Sequence, residues 1–161
     1  MEQFAQLFKK YPSLAVERDF SFSRHTTIGC GGTASLSVRC DCTETAAEVL
    51  GYLQREHIPH ILLGAGANVL PSDGRYEGVV VRITGRNLSA EGEYLSAEAG
   101  VTGGSLCRFA RQCGISGFEP FTGIPMTVGG GTAMNAGVAG GHFSDVVVKV
   151  KAVESGKIRI F

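Results

Sequence analysis

The segment HILLGAGANVL, residues 60–70, places a short apolar run directly before a loop of glycine, alanine and asparagine. Residues 60–63 are typical of a buried strand, and turn residues follow the loop at Pro71 and Asp73-Gly74. Small side chains leave the N–H groups of this loop free to form a concave nest, which accepts diphosphate oxygens without a lysine. Ligands in α/β sheets bind beyond the carboxyl ends of strands, so we expect a binding site at this loop.

Spacing alone leaves a second interpretation of this loop open. It would be a tight turn after a strand, with Asn68 in the left-handed region. The loop is not the dinucleotide fingerprint, because G-x-G-x-x-G must open a helix and the residues that follow here favour a turn.

The residues before the loop predict a βαβ unit. Alternation over residues 35–39 predicts a strand. Thr45 with Glu48 predicts a capping box that opens a helix, and Ile58-Pro59 ends that helix. The predicted buried face of the helix consists of Ala46, Val49, Leu50 and Leu53. The second strand of the unit then leads into the glycine loop.

An N-terminal amphipathic helix is predicted over residues 2–11, and Pro12-Ser13 terminates it. Its apolar positions are Phe4, Leu7, Phe8 and Tyr11. A strand over residues 79–83 and a turn over residues 84–87 complete a first predicted subdomain, residues 1–84.

The second predicted subdomain, residues 85–161, has an α+β pattern. It contains a strand over residues 94–99 and a helix that Gly114 stops. The apolar positions of that helix are Leu106, Phe109, Ala110 and Cys113. Strands over residues 146–153 and 158–161 form a hairpin through Ser155-Gly156. The chain stops within an apolar strand pattern, from which we expect an early end to this subdomain.

A second glycine-rich segment, residues 123–141, contains one proline and no charged residue. A disordered linker would be more polar and would lack Ile124, Val128 and Met134 at intervals. We interpret the segment as ordered backbone around a flat apolar ligand. Ile124 and Val128 would contact a ring, while peptide groups would address its polar rim.

Composition excludes several classes of protein. The 161 residues include 15 basic and 15 acidic side chains, so there is no overall positive field for nucleic acid or an anionic membrane surface. No apolar run approaches the roughly 20 residues of a membrane-spanning helix. The N-terminus lacks the pattern of a secretory signal, so we expect a cytoplasmic protein without membrane insertion. The five cysteines match neither a disulfide framework nor a zinc motif, which favours free thiols.

Other reactive side chains are better explained without a catalytic or metal-binding role. The four histidines, at 25, 57, 60 and 142, share no i, i+4 ligand spacing. Ser144 and Ser155 have no identifiable base beside them and are typical of turns. Arg108 and Arg111 are typical of a solvated helix surface.

Four motifs in order along the chain resemble those of the UDP-N-acetylenolpyruvoylglucosamine reductase family. His25-Thr26-Thr27, with Gly31-Gly32 and Ala34, resembles its N-terminal motif, and residues 64–70 resemble its diphosphate loop. GISGFE, residues 114–119, resembles the connecting segment. GIP at 123–125 through NAG at 135–137 resembles the segment that encloses the flavin. Order and spacing agree from about residue 20 to residue 153.

The resemblance implies the FAD-binding part of such an enzyme. Its fold would be the α+β, two-subdomain FAD-binding fold of the vanillyl-alcohol-oxidase (PCMH) type. In this family NADPH reduces FAD, and the flavin passes hydride to the enolpyruvyl double bond of a UDP-sugar, giving UDP-N-acetylmuramate for peptidoglycan. The implied FAD-binding residues are Leu63, Gly64, Ala65, Gly66, Ala67, Asn68, Val69, Ile124, Pro125, Val128, Gly129, Gly130, Ala133, Met134, Asn135 and Gly137.

Catalytic residues are not carried over. The family's tyrosine-arginine-x-serine segment, proton donor and final glutamate correspond to positions beyond Phe161. The substrate domain is therefore missing on this resemblance. We expect the chain to be inactive alone and to meet the UDP-sugar only when the other half is supplied.

Three positions depart from the family pattern. Ala67 replaces a serine that helps bind phosphate, which would cost about 1 kcal/mol if unreplaced. Met126 replaces a glycine and brings a side chain towards the flavin unless it points outward, and Ala139 replaces a tyrosine. Some related flavoproteins attach FAD to histidine or cysteine, which draws attention to His25, Cys30 and His142, but this family holds FAD noncovalently.

Three functional hypotheses remain open. The chain is the flavin-binding half of the reductase, or a degenerate non-catalytic module that uses the same fold to bind a partner protein, or a shorter flavoprotein whose substrate half is a separate chain. In the first case a bare apolar face would favour self-association.

Overall fold

The computed structural model describes residues 11 and 14–161. The predicted N-terminal helix therefore lies outside the described residues, apart from Tyr11 at its end. Tyr11 and Leu14 pack against the first core of the chain.

The first half is built on a four-stranded sheet. Its strands are β1 (Ala15–Ser21), β2 (Thr33–Cys40), β3 (His60–Leu62) and β4 (Arg75–Ile83), in the order β1-β2-β4-β3. β1 runs antiparallel to β2, whereas β2, β4 and β3 are parallel. The predicted strands are confirmed, and β4 inserts between the two strands of the predicted βαβ unit.

Helix α1 (Thr43–Arg55) covers one face of this sheet. The predicted face is confirmed, since Ala46, Val49, Leu50 and Leu53 are buried against Leu36, Val38, Val79 and Val81. The predicted cap is wrong. The helix begins before Thr45, and Cys42 is the N-cap, with its Sγ accepting a hydrogen bond from the Thr45 N–H at 3.5 Å. A thiol in extended backbone geometry thus takes the place of the usual hydroxyl.

A smaller cluster forms on the opposite face of the sheet. Phe20, Phe22, Ala34, Leu63 and Val80 are buried together there. This cluster holds the end of β3, where the glycine loop begins.

The second half contains a hairpin, two helices and short paired segments. The elements are β5 (Leu88–Glu91), β6 (Tyr94–Ala97), α2 (Gly103–Gln112), α3 (Val128–Met134), β7 (Gly137–Val138) and β8 (Gly141–His142). Gly114 follows α2 with φ +70°, as the predicted stop requires. β5 and α3 were not predicted from the sequence. The core consists of Val101, Leu106, Phe121, Met126 and Phe143.

The last predicted hairpin is confirmed over a shorter range. It consists of β9 (Lys151–Glu154) and β10 (Lys157–Ile160), while residues 143–145 form a 3-10 turn and residues 146–150 are not a strand. This hairpin packs on α1 of the first half, where a Cβ at Gly51 would lie 3.0 Å from the Gly156 Cα. The division into two subdomains after residue 84 stays a prediction. The final hairpin belongs to the second predicted subdomain but packs on a helix of the first.

Two helical glycines provide a test of this packing. Gly104 and Gly129 are the second residues of α2 and α3. A Cβ at Gly104 meets nothing within 4 Å, whereas one at Gly129 would lie 2.8 Å from the Ala99 Cβ. We expect Gly129→Ala to lower the free energy of unfolding by about 1–3 kcal/mol. Gly104→Ala should raise it by about 0.5 kcal/mol. Urea denaturation of both variants measures this difference, and equal changes would contradict the packing.

Candidate functional site

The glycine loop after β3 is anchored to the N-terminal motif. Gly66 has φ +69°, and its carbonyl oxygen accepts hydrogen bonds from the Thr27 N–H at 3.1 Å and the Thr27 Oγ1 at 3.2 Å. A Cβ at Gly66 would overlap the His25 carbonyl oxygen and lie 2.9 Å from the Thr26 Cα. Two of the four sequence motifs are thus in direct contact.

The N–H groups of this loop are available to a ligand. β3 ends with the Leu63 N–H bonded to the Val81 carbonyl at 3.0 Å. Within the described part of the chain, the next five N–H groups, of residues 64–68, have no hydrogen-bond acceptor. Ala65, Ala67 and Asn68 are exposed. Consecutive unpaired amides of this kind suit the oxygens of an anion, so the predicted nest fits the diphosphate of FAD.

The loop meets the second half of the chain at Thr127. A Cβ at Gly64 would lie 2.6 Å from the Thr127 Oγ1 and 3.8 Å from the Gly130 Cα. Thr127 is the N-cap of α3, and its Oγ1 accepts a hydrogen bond from the Gly130 N–H at 3.2 Å. The two glycine-rich segments therefore face each other across the boundary between the halves.

The amides at the start of α3 have partners within the protein. The Val128 N–H donates to the Val101 carbonyl at 2.8 Å, and the Gly129 N–H donates to the Ala99 carbonyl at 2.9 Å. With the Gly130 N–H on Thr127, these three predicted ligand amides are already bonded. Contact of Val128, Gly129 and Gly130 with FAD stays a prediction, and it would involve atoms other than these hydrogens.

Met126 points into the core of the second half. Its side chain is 7% exposed, and a Cβ at Gly131 would lie 2.8 Å from its Sδ. The Gly103 N–H donates to the Met126 carbonyl at 2.8 Å, which fixes the backbone as well. The larger residue at this position thus fills space between α2 and α3 and does not block the glycine loop.

The rest of the second segment divides into packed and exposed residues. Ile124 and Val128 are half-buried against the core, so part of each side chain is already covered. The predicted FAD-binding residues that are exposed here are Pro125, Ala133, Met134, Asn135 and Gly137. Asn135 ends α3 with φ 45°, and its Oδ1 accepts a hydrogen bond from the Ser144 N–H at 2.9 Å. Its side chain therefore braces the following turn.

The His25 ring is held by contacts within the protein. The His25 Nδ1 lies 2.9 Å from the Ser21 carbonyl oxygen, and its ring stacks on Phe20 with centroids 4.2 Å apart.

All five cysteines are free. Burial, with smaller effects from Asp41 and Cys42, raises the pKa of the Cys40 thiol to about 12, so it stays protonated.

The described residues contain no cluster of three or more metal-ligating side chains. Among those same residues, none of the helices has the length and apolar character needed to cross a bilayer.

Comparisons with known proteins identify the class first. Residues 34–159 match the family described as FAD binding domain. The crystal structure of UDP-N-acetylenolpyruvylglucosamine reductase from Thermus caldophilus superposes with a TM-score of 0.78 at 29% identity, covering 92% of this chain and 52% of that one. Alkyldihydroxyacetonephosphate synthase shares the fold at 15% identity, with a TM-score of 0.71 over 100% of this chain and 38% of that one. The protein is thus an FAD-binding domain of the predicted vanillyl-alcohol-oxidase type.

Sequence relatives then give the family. UDP-N-acetylenolpyruvoylglucosamine reductase of Desulfosudis oleivorans is 36% identical over 152 residues, which are 90% of this chain and 49% of that protein. The enzyme of Geobacillus kaustophilus is 34% identical over 165 residues, with 99% and 54% coverage. This chain belongs to the UDP-N-acetylenolpyruvoylglucosamine reductase family, and FAD is its cofactor. The chain spans about half the length of these relatives.

A substitution at Gly66 tests the anchoring of the loop. Gly66→Ala places a Cβ against the His25 carbonyl at a positive φ. We expect it to lower the free energy of unfolding by about 1–3 kcal/mol. The matched control is Gly74→Ala, where a Cβ meets nothing within 4 Å. Chemical denaturation compares the two variants, and an unchanged stability for Gly66→Ala would contradict the loop geometry.

Proposed function

We propose that this chain holds FAD between its two halves as the FAD-binding portion of an NADPH-dependent reductase. The reaction is the conversion of UDP-N-acetylenolpyruvoylglucosamine to UDP-N-acetylmuramate, in the cytoplasmic synthesis of peptidoglycan precursors. The observation that carries the proposal is the run of unpaired N–H groups at residues 64–68, which begins at Gly64 against Thr127 of the second half. Membership of the reductase family supports it.

The loop amides bind the diphosphate in this proposal. Thr27 fixes the loop by holding the Gly66 carbonyl, so the N–H groups need little reorganisation when the anion arrives. Ala67 lacks a hydroxyl, so the backbone and Asn68 provide the polar contacts there. Bound FAD supplies the hydride-transfer chemistry, and the chain supplies its orientation.

The exposed residues of the second segment form the proposed wall beside the flavin. Pro125, Ala133 and Met134 offer apolar surface, and Met134 is 60% exposed. Met126 packs behind this wall in the core and supports it, because it fills the space between α2 and α3.

The chain alone is inactive in this proposal. No catalytic residue is assigned to it, and the relatives are about twice as long as the part they share with it. The UDP-sugar and its proton donor belong to the remainder of such a protein. In this proposal NADPH and the UDP-sugar react only in an enzyme that includes this remainder.

A partner-binding module without FAD is the second candidate. Large apolar side chains are exposed on the described surface, including Leu70 at 77% and Val148 at 73%. These residues offer area for contact with another protein chain. Binding of FAD distinguishes the two candidates.

Titration of the purified chain with FAD, followed by flavin fluorescence and calorimetry, tests the proposal. We expect one FAD per chain and a rise in melting temperature with FAD concentration. Ala67→Ser adds a hydroxyl to the loop and should tighten binding by about fivefold, the equivalent of one hydrogen bond. Gly66→Ala should weaken binding, and Gly74→Ala should not change it. A chain that shows neither heat nor thermal stabilisation with FAD would favour the partner-binding module.

A further inference from the structure

Three arginines line one cleft at the carboxyl ends of β2 and β4. The cleft has a volume of about 330 Å³, and its walls include Arg39, Arg82 and Arg86. Arg39 lies directly opposite Arg82 on adjacent parallel strands. Their side chains therefore leave the same face of the sheet from positions about 5 Å apart. Arg86 approaches from the turn that follows β4.

The described residues do not balance the charges in this cleft. Within the part of the chain that the structure describes, none of the three guanidinium groups forms an ion pair. Asp41 is the carboxylate among the lining residues, and Glu17 on β1 attracts Arg82 from further away. Among the described lining residues, one carboxylate accompanies three guanidinium groups, which leaves a formal positive surplus.

Arg82 is the least exposed of the three arginines. Its side chain is half-buried, with its guanidinium carbon 6.0 Å from the centre of the Phe20 ring. Burial lowers the pKa of Arg82, and repulsion from Arg39 and Arg86 lowers it further. Like charges held close together oppose folding, so an anion that binds between them would stabilise the chain.

We propose that this cleft binds a phosphate-bearing anion of the diphosphate class, at a site separate from the glycine loop. Guanidinium groups bind phosphate oxygens in pairs of parallel hydrogen bonds, and three arginines line this cleft. Thr45 and Thr84 add hydroxyl groups to the wall. None of residues 64–70 lines the cleft, which lies beside β1, whereas that loop leaves β3 at the other edge of the sheet.

Calorimetric titration of the chain with inorganic pyrophosphate tests the site. Arg39→Gln and Arg86→Gln should each weaken binding about tenfold, because each removes charge-assisted hydrogen bonds. The matched control is Arg108→Gln, an exposed arginine on α2 that is outside the cleft, and it should leave the affinity unchanged. Equal pyrophosphate affinity in all these proteins, or no binding by the unmodified chain, would overturn the proposal.

A second series separates this site from the glycine loop. Gly66→Ala should keep the pyrophosphate affinity of the unmodified chain, and saturating FAD should leave it unchanged. Loss of pyrophosphate binding with saturating FAD, or in a Gly66→Ala chain that circular dichroism shows to be folded, would place the anion at the glycine loop and overturn the proposal. The Gly66→Ala arm does not depend on whether the chain binds FAD, and the arginine variants report on the cleft alone.

Thermal denaturation provides a readout that distinguishes binding from a structural role. Without ligand, Arg39→Gln and Arg86→Gln should melt at or above the temperature of the unmodified chain, because repulsion is relieved. Pyrophosphate should raise the melting temperature of the unmodified chain and of Arg108→Gln, with a smaller effect on the cleft variants. Cleft variants that melt lower and respond fully to pyrophosphate would show that the arginines only support the fold.

Discussion

The close approach of Gly64 to Thr127 is the constraint on which the site depends. No side chain larger than hydrogen fits at residue 64, because a Cβ there would lie 2.6 Å from the Thr127 Oγ1. The same Oγ1 caps α3, so one hydroxyl group lies both at the start of that helix and against the loop. The available amides of residues 64–68 are therefore presented at the boundary between the two halves. The proposed FAD site depends on this contact together with the Thr27 hydrogen bonds that hold Gly66.

The two proposed anion sites would attract their ligands in different ways. At the glycine loop the attraction would come from peptide dipoles, without a cationic side chain. In the cleft beside β1 it would come from three guanidinium groups, which one carboxylate accompanies among the described lining residues. Backbone dipoles act at short range and in one geometry, whereas exposed charges act further and are screened by salt. The net charge of zero conceals this separation, because the basic residues are locally concentrated.

The glycines serve several physical purposes. Gly66 and Gly114 occupy positive φ values that other residues adopt at a cost. Gly129 and Gly131 have a different role, because they let α3 pack against Ala99 and Met126. The sequence suggested that the segment over residues 123–141 was backbone wrapped around a ligand; that contact stays a prediction, and two of its glycines also serve this packing. A glycine-rich composition does not separate these purposes, since both need the absence of a Cβ.

The sequence by itself determined the βαβ unit, the helix stopped by Gly114, the final hairpin and the family, because these depend on local periodicity and on ordered motifs. It also placed the loop of residues 64–70 correctly at the end of a strand. Only the tertiary structure decided that β4 lies between β2 and β3, that Val128–Met134 is helical despite its glycines, and that Met126 turns inward. It alone brought Arg39, Arg82 and Arg86 to one cleft. The physical reason is that strand order, helix packing and charge clustering are set by contacts between residues far apart in the chain, which local patterns do not specify.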